Sequence, residues 1–338
     1  MKLTFVIFAM QLAVGALLGR LCVPLFRKLK TGKFDIYIGD RFAQDGSEPR
    51  GGGAVMFISF LVACTAGTAV IGADSAQLRG LLCVIMYTGL LTAVGLAEDY
   101  DRDARDGIGM KSRYRIAIKL VLSGCFTLLM RSFGYSCKML LLPFRWGYID
   151  QGIAYIPLTA ILMTVLITAA EVCDCQRGIH DTGVDGSCAM VMFMGYLGLS
   201  AAFGDGSREL LRLVCLCAAG SCAGYLVWGM KPSKLFTGQS GGMFMGGMMC
   251  GILMLSGLHG AVLLAMAVPL IELAAHILQW AVFAGKKKLL LKGATLHEHM
   301  RNCGWTDSRI MAVLALVQGL FCVGAAAYSI YESKLIVK

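Results

Sequence analysis

Residues 81–105 read LLCVIMYTGLLTAVGLAEDYDRDAR, and the fold turns on them. Leu81 to Ala97 carries no charge; Glu98, Asp99, Asp101, Arg102, Asp103 and Arg105 follow at once. A helix on a soluble core keeps a polar face along its length, whereas a helix apolar all round is buried or faces lipid. The single step from apolar to charged is what a boundary between hydrocarbon and water imposes. The run lies at the lower end of the roughly 17–25 residues that cross a bilayer.

The pattern recurs outward from this stretch. Apolar runs occupy Leu3–Phe26, Ala54–Gly72, Leu81–Ala97, Ile116–Met130, Ile153–Ala170, Cys188–Phe203, Leu210–Trp228, Gly242–Leu258, Ala261–Phe283 and Ile310–Ile330. They predict an all-α polytopic membrane protein of about ten transmembrane helices, forming one domain over residues 1–338. The composition agrees: 57% of residues are hydrophobic and 15% charged, with a mean hydropathy of +0.69. Soluble domains are nearer half apolar and a quarter charged. The 42 glycines suit close helix packing in lipid. The first run is followed by Arg27, Lys28 and Lys30 rather than by a small-residue cleavage site, so it reads as a retained span.

Charge sets the expected orientation. The linkers at 27–53, 98–115, 171–187, 229–241 and 284–309 hold 20 Lys and Arg, against 8 in the other linkers and the termini. By the positive-inside rule the first set is cytoplasmic and both termini face outward. The net charge of +10 then reflects acidic headgroups rather than nucleic acid, which is excluded as a partner. Most of the 14 cysteines sit within apolar runs, the pattern of small buried residues and not of a disulfide framework. Residues 131–152 hold a turn among aromatics and read as a small interfacial hairpin on the outer side.

The polar chemistry lies in the five basic linkers. Gly51-Gly52-Gly53 permits close approach by a ligand or another helix, or serves as a flexible entry turn. Glu98-Asp99 at a membrane surface suits magnesium on a diphosphate substrate, or is a solvated charge run. Lys111, Arg113 and Arg115 can hold phosphates or headgroups. The third linker mixes Glu171, Asp174, Arg177, His180, Asp181 and Asp185 with glycines; the fourth carries Lys231, Lys234 and Gln239; the fifth carries His297-Glu298-His299. On a strand-like segment the two histidines could share a metal; otherwise they are paired or solvated.

Taken in order, these segments resemble the phospho-N-acetylmuramoyl-pentapeptide transferases, within the polyprenyl-phosphate sugar-1-phosphate transferases. The resemblance runs nearly end to end. It rests on Arg41 to Gly53, Gly95-Leu96-Ala97-Glu98-Asp99-Tyr100, Gly109 to Arg115, and the Leu142-Pro143-Phe144 to Pro157 region. It continues through Phe236-Thr237-Gly238-Gln239-Ser240-Gly241, Glu272 with Leu278-Gln279, and His297-Glu298-His299 with Gly304-Trp305. It implies a reaction in which polyprenyl phosphate attacks the sugar-linked phosphate of a UDP-sugar and UMP leaves, in cell-wall synthesis, with Mg2+ as cofactor. It implies a bacterial cytoplasmic membrane and carries the expectation of a homodimer. Residue by residue, Glu98, Asp99 and either Asp174 or Asp185 would be metal or base residues. Lys111, Arg115, Lys231 and Lys234 would hold phosphates, and His297 and His299 would line the pocket.

The departures fall on those same positions. Glu98 and Gln239 stand where the family has aspartates, and Gln239 supplies an oxygen without charge. In the third linker no register keeps both family acids: one gives Asp174 and Arg177, another Thr182 and Asp185. Gly229 replaces an asparagine, and Glu298 intrudes between the histidines. Three readings therefore stand: a working transferase, a catalytically silent paralogue that binds lipid phosphate or regulates cell-wall synthesis, and a transporter. The last fits poorly with so few charges inside the spans.

Overall fold

The computed structural model describes residues 2–28, 49–104, 109–135, 139–141, 148–150, 152–173, 186–203, 208–230, 233–287 and 289–336. The helices are α1 Lys2–Lys28, α2 Gly52–Ile71, α3 Ser75–Ala104, α4 Ser112–Ser132, α5 Tyr155–Cys173, α6 Ser187–Ala202, α7 Glu209–Gly229, α8 Gly238–Ser256, α9 His259–Ala265, α10 Ala267–Lys286, α11 Leu296–Asn302 and α12 Asp307–Ile336. Between α4 and α5, β1 (Met139–Leu141) pairs antiparallel with β2 (Tyr148–Asp150), Leu140 opposite Ile149. Apart from this small hairpin the described elements are helical, and the fold is that of a polytopic membrane protein.

Among the described residues, seven helices are long and apolar enough to span a bilayer: α1, α2, α3, α5, α7, α10 and α12. Their outer faces carry bare apolar side chains. Leu316, Leu320 and Val323 on α12 and Trp280 on α10 are the extreme examples, each about two-thirds exposed or more. In water such a surface would drive association; against lipid tails it costs nothing.

The remaining long helices are α4, α6 and α8. Basic residues interrupt α4, and α6 is short. In α8, six glycines lower the hydropathy, yet every residue from Ser240 to Met254 is buried. It is the central helix, packed against α3, α5 and α2. Its glycines make the approach possible: a Cβ on Gly246 would lie 2.5 Å from the Ile167 Cα, and one on Gly242 2.8 Å from the Glu171 Cα. On the far side α7 packs against α1, α2 and α6, and α12 packs against α6 and α9.

The predicted ninth run, Ala261–Phe283, is not one helix. It breaks at Met266 into α9 and α10. Pro269 is the cause, since it has no N–H to donate and its ring would clash with the carbonyl four residues back, at Ala265. Gln318 of α12 binds the exposed ends. Its Nε2 donates to the Ala265 carbonyl (2.9 Å) and the Leu264 carbonyl (3.3 Å), and its Oε1 accepts from the Val268 N–H (3.0 Å).

Candidate active site

Glu98 and Asp99, in the last two turns of α3, are both buried. Asp99 turns onto the start of α8. Its Oδ1 accepts the Gln239 N–H (2.9 Å) and its Oδ2 the Ser240 N–H (3.1 Å). The first N–H groups of a helix have no partner within it and carry the positive end of its dipole, so a carboxylate there is favoured. The residue before α8, Thr237, makes no side-chain cap, and its hydroxyl pairs instead with the Tyr225 hydroxyl at 2.8 Å. Gly238, at φ 69°, is forced by the arrangement: a Cβ there would sit 2.4 Å from Asp99 Oδ2.

The glycine run of the first linker has a backbone partner. Phe236 N–H donates to the Pro49 carbonyl (2.9 Å), and Gly52 N–H donates to the Phe236 carbonyl (2.9 Å). A Cβ on Gly53 would lie 2.2 Å from the Ser240 carbonyl carbon. Of the two sequence readings, close approach is the observed one, and the second party is the segment leading into α8.

Glu98 faces α4. Its Oε1 receives Arg115 Nη2 at 2.7 Å and Arg102 Nη2 at 3.1 Å. Arg115 reaches on through Nη1 to Gln239 Oε1 at 3.4 Å. Glu98, Arg115 and Gln239 therefore form one chain of contacts across α3, α4 and α8. Glu98 Oε2 and Arg115 Nε are buried without hydrogen-bond partners. One turn further along α4, Lys119 Nζ donates to Glu171 Oε2 (2.6 Å) and Thr168 Oγ1 (3.1 Å) on α5. Lys119 is 1% exposed.

A second cluster repeats the capping device. Glu272 on α10 accepts the N–H groups of Leu296 (2.8 Å) and His297 (3.1 Å) at the start of α11. His297 Nδ1 lies 3.3 Å from Glu272 Oε1. Gln279 Oε1 takes the N–H groups of Leu290 (3.0 Å) and Leu291 (2.8 Å). His299 Nδ1 accepts the Lys292 N–H at 3.0 Å. The two histidines lie on a helix, not on a strand-like segment. Residues two apart on a helix do not face each other, so they do not share one ion.

Of the residues singled out in the sequence, Glu98, Asp99, Arg115 and Gln239 come together, and His297 and His299 share the α11 cluster. Lys111 is exposed at the start of α4. Lys234 is also exposed, its ammonium 5.6 Å from the Trp228 ring centroid. Asp174, Asp185 and Lys231 lie outside the described residues. The Lys119–Glu171 pair was not singled out. Its signal was a lysine inside an apolar run, four residues after Arg115 and hence on the same helix face.

The magnesium expected from the family resemblance can be tested against this donor set. Among the described residues no group of three or more His, Cys, Asp or Glu is placed to hold a metal ion. Both Asp99 oxygens point at α8 N–H groups, Glu98 Oε1 carries two guanidinium groups, and Gln239 is neutral. A dication needs several unencumbered oxygens, preferably anionic. Of the buried carboxylate oxygens here only Glu98 Oε2 and Glu171 Oε1 lack partners, and no third His, Cys, Asp or Glu joins them, so the described residues do not fit one.

The glycosyl transferase family 4 profile matches residues 81–257. Curated relatives named phospho-N-acetylmuramoyl-pentapeptide-transferase align over most of the chain. The protein from Clostridioides difficile (strain 630) is 25% identical over 89% of this chain and 90% of its own length. That from Shouchella clausii (strain KSM-K16) is 27% identical over 94% of each, and that from Geobacillus thermodenitrificans (strain NG80-2) is 25% identical over 95% of this chain and 96% of its own. The profile covers just over half of the 338 residues and takes in both the acidic pair of α3 and the start of α8, so the chain belongs to glycosyl transferase family 4.

Proposed function

We propose that this protein transfers phospho-N-acetylmuramoyl-pentapeptide from UDP-N-acetylmuramoyl-pentapeptide onto polyprenyl phosphate, with UMP as the leaving group, at the junction of α3, α4 and α8. One observation carries the proposal. Gly95–Tyr100 and Phe236–Gly241, far apart in sequence, are joined through Asp99 within the region the family profile matches. Phosphoryl transfer depends mainly on positioning and on charge stabilisation. The junction offers Arg115, with Lys111 and Arg113 at the start of α4. In this reading Arg115, Lys111, Lys231 and Lys234 hold phosphates, and His297 and His299 line the donor pocket. The lipid acceptor enters from the bilayer, and UMP leaves to the cytoplasm. The basic linkers then face the cytoplasm, with both termini outside, in a bacterial inner membrane; a homodimer is the proposed assembly.

The test is a lipid-product assay on detergent-purified protein with undecaprenyl phosphate and UDP-N-acetylmuramoyl-pentapeptide, beside an active relative. Formation of the lipid-linked product with release of UMP is expected. A folded protein that yields none, while the relative works, refutes the proposal for this donor.

A second reading draws on the pairing of Glu98 with two arginines and on the neutral Gln239. In it the chain binds lipid phosphate without transfer. Saturable binding of undecaprenyl phosphate with no product from any UDP-sugar would select it.

A further inference from the structure

Arg115 Nη2 lies 2.7 Å from Glu98 Oε1, inside the space a metal on that oxygen would take. Its Nη1 reaches the Gln239 side-chain oxygen, a second oxygen a metal could use, which leaves Glu98 Oε2 as the one unpartnered oxygen of that side chain. Arg115 is 7% exposed, too deep to swing out into water without rebuilding the start of α4.

Among the described residues the buried charges are already balanced without an ion. Three buried carboxylates, Glu98, Asp99 and Glu171, face Arg102, Arg115 and Lys119, with Arg50 a further positive charge near Asp99. A dication added to that set would be buried against its own sign, where repulsion is screened far less than in water. Gln239 belongs with this arrangement, because an amide oxygen accepts from a guanidinium without adding charge.

We propose that Arg115 is the resident cation of this junction: it takes a divalent ion's place on Glu98 and bars such an ion from the α3 acidic pair.

The test is electron paramagnetic resonance of Mn2+ added to the detergent-purified full chain with no substrate present. The wild type is expected to leave the Glu98 site empty, so that any loss of the free-ion signal is the same in Glu98→Gln. The double variant Arg115→Met/Gln239→Asp is expected to take up an additional Mn2+, seen as a further loss of free signal. Wild-type binding that Glu98→Gln abolishes overturns the proposal. So does a monodisperse double variant that gains no ion. Should the double variant not fold, the comparison of wild type with Glu98→Gln still decides. No substrate enters the measurement, so a negative product assay does not count against Arg115, and a bound Mn2+ does not count against transfer.

Discussion

Replacing Asp99 by Asn removes one charge and reverses one hydrogen-bonding edge at the start of α8. The carboxylate now accepts two N–H groups, at 2.9 and 3.1 Å. Hydrogen bonds to a charged group contribute about 1.5–3 kcal/mol each, against about 0.5–1.5 for neutral ones. Asparagine keeps one acceptor for Gln239 but turns its NH2 toward the Ser240 N–H. That N–H is then buried and unpaired, at a cost of about 1–3 kcal/mol. The favourable interaction with the helix dipole, up to about 2 kcal/mol in partly buried sites, is lost as well. Opposing these terms, a neutral amide no longer bears the carboxylate's desolvation penalty of several kcal/mol. The net expectation is a loss of about 2–4 kcal/mol. Circular dichroism during an SDS titration in mixed micelles would measure it. An Asp99→Asn protein within about 0.5 kcal/mol of wild type, the range of inert surface substitutions, would refute the assignment of Asp99 as the anchor of α8. The consequence reaches the chemistry, because α8 carries Gln239, the partner of Arg115. Loss of product in Asp99→Asn would thus not by itself identify a metal ligand or a base.

Other perturbations test the remaining contacts. Lys119→Met leaves Glu171 buried and unpaired and is expected to cost about 3–5 kcal/mol in the same titration. Lys119→Met/Glu171→Leu should recover most of that, and a double variant as unstable as the single would count against the pair. Gly53→Ala forces a methyl against the Ser240 backbone and should lower stability by about 1–3 kcal/mol, the usual cost of overpacking; an unchanged unfolding midpoint would show that the first linker does not rest on α8. Gln318→Leu strips the partners from the α9–α10 break and should speed hydrogen exchange at Val268, with unaltered exchange there ruling out the bridging role.

The membrane helices were legible because hydrocarbon selects for uninterrupted apolar length, a property of composition that needs no partner. Each run but the ninth falls on a single helix. The break before Pro269 was also written in the chain, in a residue that cannot continue a helix, and was passed over because hydropathy does not register it. The helical state of His297 and His299 was missed for the opposite reason. Seven residues carry little periodicity, and α11 depends on Glu272 from another helix to satisfy its first N–H groups.

The candidate site divides in the same way. That Glu98, Asp99 and Arg115 would need partners was readable from their order and setting, since charges at the edge of apolar runs must meet water, a ligand or each other. Their partners were not readable. Glu98 and Asp99 are neighbours in sequence with the same chemistry, but a helix points adjacent side chains about 100° apart. One therefore meets the guanidinium groups and the other meets the start of α8. Lys119 likewise became a buried ion pair only where α4 lies on α5. Span and family resemblance follow from hydropathy and local motif, which one stretch of residues carries alone. Which acid is neutralised by which base depends on the packing of helices distant in sequence, because charge pairing acts over a few ångströms of space.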